Sequence, residues 1–155
     1  MAAGPRHLAL HEAGHAVAAI RLRLSLRYTM LEAREPHQGS TVISPRPNGN
    51  PDRDRREAVL AFAGHEARLQ DIRKDFDIAV RMECDDDFRS ARALAARHMS
   101  EERINAWLED RRKDARALVA ADWDAIQAVT SAILARRKLY GPEVRAMVLG
   151  DRIAL

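Results

Sequence analysis

At 155 residues and 46% hydrophobic content, the chain has enough material for one domain with a real core and too little for two, so residues 1–155 read as a single domain. The net charge is only +3 and aromatic residues make up 5%; the basic clusters Arg53-Asp54-Arg55-Arg56, Arg111-Arg112-Lys113 and Arg136-Arg137-Lys138 are short and mixed with acids, which argues for solvated faces and against a nucleic-acid partner. A lone cysteine, Cys84, excludes an intrachain disulfide, and no apolar run approaches the roughly 18 residues that span a bilayer, so the expectation is a cytoplasmic protein with no signal peptide and no membrane partner.

The first predicted helix opens near Gly4-Pro5, with the proline at a first helical position. Leu8, Ala9, Ala13, Ala16, Val17, Ile20 and Leu24 then recur at helical spacing. Inside this apolar helix lies His11-Glu12-Ala13-Gly14-His15. Positions i and i+4 share a helix face, so His11 and His15 can grip one divalent metal from adjacent turns. Glu12 sits about 100° around the helix, where its carboxylate can act on a water as a base without being a ligand.

Leu26, Tyr28 and Met30 alternate with polar residues, and Gly39-Ser40-Thr41-Val42-Ile43-Ser44 is rich in β-formers. Together they predict a small hairpin or part of a short sheet. The 45–53 stretch, with three prolines and a central Asn-Gly, reads as a loop. Asp54 and Glu57 resemble a capping box that starts a second helix, with Ala58, Val59, Phe62, Ala63 and Leu69 as its apolar face. The 72–82 region is ambiguous. A third helix should begin near Asp86 or Asp87, whose charge suits a helix start, and carry Phe88, Ala91, Leu94 and Ala95 inward. From Glu101 a long helical pattern runs to Leu134, with the polar patch at 110–114 marking exposure or a break. Leu139-Tyr140-Gly141-Pro142 closes it, and a short last helix follows with Val144, Met147 and Val148. The fold class is mainly α with a small hairpin or short sheet after the His-bearing helix.

A catalytic zinc needs about three protein ligands and an open position, so the histidine pair requires one more donor. Asp85-Asp86-Asp87 is the obvious acidic concentration, read either as a helix cap with flanking acids or as the source of that donor. Cys84 reads as a structural thiol or a further ligand. His37 and His65 are candidates for an oxyanion donor or ordinary packing histidines, and His7 and His98 carry no signal beyond surface placement.

Three segments in order, Leu8-Ala9-Leu10-His11-Glu12-Ala13-Gly14-His15-Ala16-Val17, Ala61-Phe62-Ala63-Gly64-His65-Glu66-Ala67 and Asp87-Phe88-Arg89-Ser90-Ala91-Arg92, resemble the peptidase domain of the FtsH family of membrane-bound, ATP-dependent zinc proteases. The tail, from Asp122-Trp123-Asp124-Ala125-Ile126 to Leu139-Tyr140-Gly141-Pro142-Glu143-Val144, is similar to that domain's closing helices. The resemblance implies Zn2+ held by His11, His15 and Asp87, with Glu12 as general base. His65 and Arg68 depart from the family's arginine and glutamate, and Asp86 replaces an asparagine. The sequence carries no G-x-x-x-x-G-K-[ST] phosphate loop. The expectation is therefore an isolated FtsH-like peptidase domain, cutting short or unstructured polypeptides independently of ATP, with any unfolding left to a separate ATPase or adaptor. The alternatives are a metal-stabilised binding or regulatory module with weak or no catalysis, and a metal-free helical interaction domain. The presence of Glu12 favours the enzyme.

Overall fold

Helix α1 (Pro5–Arg21) starts at its proline and is buried on almost every side from Ala9 to Ile20. Small residues at Ala9, Ala13, Gly14, Ala16, Ala18 and Ala19 let neighbours approach it from all directions, so it forms the centre of the molecule. The computed structural model describes residues 4–34, 38–46, 50–72 and 86–150. Helix α1 ends in a left-handed turn: Arg23 has φ of 56°, Leu24 N–H donates to the Ala19 carbonyl at 2.9 Å, and Arg23 N–H donates to that of Ile20 at 3.2 Å. This is a Schellman closure with an arginine where glycine is usual, and buried Leu24 supplies its apolar contact.

The chain then runs into β1 (Leu26–Leu31), β2 (Gly39–Ile43), α2 (Pro51–Ile72), α3 (Asp86–Ala96), α4 (Glu101–Ala121), α5 (Trp123–Arg136), β3 (Lys138–Tyr140) and α6 (Gly141–Leu149). The architecture is mainly α with one three-stranded antiparallel sheet in the order β2-β1-β3. Thr29 at its centre faces Thr41 on one side and Leu139 on the other. Of the two expectations, a hairpin or part of a short sheet, the second holds: β3, at residues read only as the close of a helix, pairs with β1.

Two further boundaries differ from the sequence reading. The second helix begins at Pro51 rather than after Arg53, because the Asn50 side-chain oxygen accepts the Arg53 N–H at 2.8 Å and so caps the helix four residues before Asp54. Asp54 is thus no cap; it is buried and bonds His98 Nε2 at 2.6 Å. Of the two readings of 110–114, exposure holds and a break does not, since α4 runs through it; the long pattern from Glu101 breaks instead at Asp122, and the two halves meet at 79°. The break falls where the packing changes from one core to the other: the buried residues of α4 lie in one core as far as Ala115 and join the other at Val119, where α5 takes over. Ile104, Leu108 and Ala115 of α4 pack with Ala58, Val59 and Phe62 of α2 and Leu94 of α3. Ile126, Val129 and Ile133 of α5 pack with Leu10 and Val17 of α1 and Val144 of α6. Among the described residues, no single helix is long and apolar enough to cross a membrane.

Helices α1 and α2 cross through glycines. A Cβ on Gly14 would lie 2.6 Å from the Ala63 carbonyl oxygen, and one on Gly64 would lie 2.8 Å from that of His11. This contact brings α2 against the face of α1 that carries the histidines. Helix α3 is held to α2 by the edge-on Phe62–Phe88 pair, 6.4 Å between ring centres, and the turn that follows α3 is held by the Asp54–His98 bond.

Candidate metal centre

His11 and His15 project from consecutive turns of α1 with their rings 4.6 Å apart and nearly perpendicular. Asp87, in the first turn of α3, reaches across to them. Its Oδ2 lies 2.9 Å from His11 Nε2 and 3.0 Å from His15 Nε2, and the two nitrogens are 2.9 Å apart. Three donor atoms from two helices therefore converge on one point; helical spacing predicts the histidine pair, and Asp87 is the third residue that the FtsH-like resemblance implies.

Such a triangle suits a cation. Ligand atoms around a tetrahedral zinc with bonds of about 2.0–2.1 Å stand roughly 3.3 Å apart, so the donors need to open by only a few tenths of an ångström. The supporting contacts fix the right atoms inward. His15 Nδ1–H donates to the Leu60 carbonyl at 2.8 Å, which turns Nε2 toward the other two donors. Gly64 leaves room for this ring, since a Cβ there would come within 2.6 Å of His15 Nε2. His11 Nδ1 is buried and has no hydrogen-bond partner among the described residues.

The electrostatics describe the same cluster holding a proton. Burial alone would push the His15 imidazolium down, but the Asp87 hydrogen bond and charge, with smaller contributions from the Glu12 charge and the Leu60 carbonyl, outweigh it and push His15 up to about 9. Burial acts to raise Asp87, yet the hydrogen bonds and charge of the two histidines hold its carboxyl far below the usual carboxylate range. The site thus favours positive charge at its centre, and a metal ion would have to displace that proton.

Glu12 is buried on the same helix and stands apart from the three donors. Its Oε2 accepts a 2.5 Å hydrogen bond from the Thr41 hydroxyl, and its Cγ and Oε1 lie against Gly39, where a Cβ would fall 2.5 and 2.8 Å away. Both contacts come from β2. The sequence marks 39–44 as a strand that could pair with an extended peptide and assigns neither Gly39 nor Thr41 a contact with Glu12; the signal that marks them is their i, i+2 spacing, which puts both on one face of the strand.

Asp86, the neighbour of the third donor, points to solvent with a side chain 95% exposed and pairs with Arg89. His65 is buried on α2 and is not among the three converging donors. His98 is exposed, as read, and its ring also bonds buried Asp54. Cys84, Asp85 and His37 lie outside the described residues. The chain matches no family model and no curated protein with which it was compared.

Proposed function

We propose that this chain is a zinc-dependent metallopeptidase that hydrolyses peptide bonds in short or unstructured polypeptides, as the resemblance to the FtsH family's peptidase domain implies. The observation that carries the reading is the pairing of a three-donor cluster, His11, His15 and Asp87, with a buried carboxylate, Glu12, that is one residue from a donor but is not a donor itself. A structural metal site has no need of a base beside it.

Zinc held there would supply Lewis acidity, bringing a water's pKa toward about 7 and polarising the scissile carbonyl. Glu12 is the group available to take the water's proton as the water oxygen bonds to the carbonyl carbon. It then returns that proton to the amine nitrogen as the C–N bond breaks, which leaves the carboxylate as it began. Strand β2 is one of the two edges of the sheet and carries the residues against Glu12. An extended peptide adding to that edge by main-chain pairing would lie beside the base.

Elemental analysis of the purified protein, paired with cleavage of a disordered substrate and a stably folded one, tests the proposal. Expected are one zinc per chain, cleavage of the disordered substrate whether or not ATP is added, and survival of the folded one. Metal no higher than in a His11→Ala, His15→Ala double variant would defeat the metal assignment. Full zinc without cleavage of any peptide would favour a metal-stabilised binding module.

A further inference from the structure

Threonine 41 makes a contact that a merely structural strand residue has no need of. Its Oγ1 lies 2.5 Å from Glu12 Oε2 and 3.2 Å from the Glu12 backbone carbonyl. A hydroxyl has one proton to donate, and the closer, charged acceptor takes it. Thr29 Oγ1 stands 2.8 Å behind Thr41 Oγ1 and can donate in turn. Thr29 and Thr41 are directly opposed across β1 and β2, and Thr29 is fully buried, so the hydroxyl chain is anchored in the middle of the sheet. On the other side of the carboxylate, Gly39 supplies a wall with no side chain.

We infer that Thr41, supported by Thr29, is the positioning residue for Glu12. It ties Oε2 and leaves Oε1, beside Gly39, as the oxygen that receives the proton. The inference rests on the peptidase reading of this site. A glutamate free to turn about its side-chain bonds presents a base in the productive place only part of the time. One tied at Oε2 by a β-branched, rotamer-restricted threonine presents it continuously. Because the tie comes from the edge strand, anything that orders β2 also orders the base.

The test uses the full chain with Thr41→Val, which keeps the shape and loses the hydroxyl, and Thr41→Ser, which keeps the hydroxyl. In the zinc-loaded protein, Thr41→Val should lower kcat on a disordered peptide by about 10- to 100-fold, the range expected for a hydrogen bond to a charged group. KM should stay within about twofold and zinc content unchanged, while Thr41→Ser restores kcat to within about threefold of wild type. An independent readout is the 13Cδ carboxyl resonance of Glu12 in the metal-free protein, assigned by its loss in Glu12→Gln. Thr41→Val should move it and Thr41→Ser should not. Should valine prevent folding, Thr41→Ala takes its place. An unmoved resonance, or a moved one with unchanged kcat, overturns the inference. If wild type holds zinc but cuts nothing, the peptidase reading fails by itself, and the resonance still decides whether Thr41 holds Glu12.

Discussion

In the metal-free protein, raising the pH from about 6 to about 10 should lower thermal stability, and Asp87→Asn should abolish most of that fall. The cause is the His15 imidazolium, whose pKa rises from 6.5 in an unstructured chain to about 9 in the folded one. Below 6.5 both states carry the proton and the stabilisation is fully present. Between 6.5 and 9 the unfolded chain gives up its proton first, so stability declines as pH rises; above 9 the contribution is gone. At about 1.4 kcal/mol per pH unit, that window amounts to about 3 kcal/mol. For a chain of this size the corresponding loss is about 6–12 °C in Tm. Asp87 shows the other side of the same interaction and is not added to it. Its depressed pKa contributes stability above 3.8 that is lost as the pH falls below that value. Zinc reverses the trend, because coordination needs neutral imidazoles; the rise in Tm on adding zinc should grow with pH over the same window. Thermal denaturation followed by circular dichroism, with and without a chelator, reads all of this. Equal pH slopes for wild type and Asp87→Asn in chelator would refute the assignment of the interaction to this pair.

Gly64→Ala should weaken zinc binding by at least about tenfold, because its Cβ would fall 2.6 Å from His15 Nε2 and 2.8 Å from the His11 carbonyl; competition with a chromophoric chelator measures it, and an affinity within twofold of wild type would count against the site. Asp87→Ala should lose the metal while Asp86→Ala keeps it, since only Asp87 faces the histidines; elemental analysis giving the reverse would mean the register of α3 is wrong. Glu66 is buried and accepts hydrogen bonds from Arg112 and Arg116 at 3.1 and 3.3 Å, joining α2 to α4. Because both arginines reach solvent, Glu66→Gln should cost only about 2 kcal/mol in urea denaturation, with zinc content unchanged; a change under about 0.5 kcal/mol would mean that the pairing does not hold the helices.

What the sequence made legible was what is local. The i, i+4 spacing of His11 and His15 needs only helical geometry, and an apolar flank on both sides guarantees the helix. The apolar face of α3 was legible, and Ala91, Leu94 and Ala95 are buried, but the choice of Asp87 among three consecutive aspartates came only from the FtsH-like resemblance, because periodicity alone left a helix cap and a metal donor equally open. What depends on distant partners was not legible. Strand β3 is three residues long and exists because β1 offers it an edge. The charges at 110–114 allow exposure or a break, and α4 runs unbroken through them, with Asp110, Lys113 and Asp114 exposed and Arg112 reaching Glu66 of α2; the turn at Asp122, where packing passes from one core to the other, depends on partners distant in sequence. Thr41 and Gly39 advertise a strand, and their contact with Glu12 emerges only once β2 lies against α1.

The most direct measurement of the central claim is kcat for zinc-loaded Glu12→Gln on a disordered peptide, with zinc content determined on the same sample. Glu12 stands apart from the three donors, so the variant should keep wild-type zinc and lose at least about a hundredfold in kcat. Equal cleavage by wild type and Glu12→Gln, at equal zinc, would contradict the assignment of Glu12 as the base and the peptidase account with it.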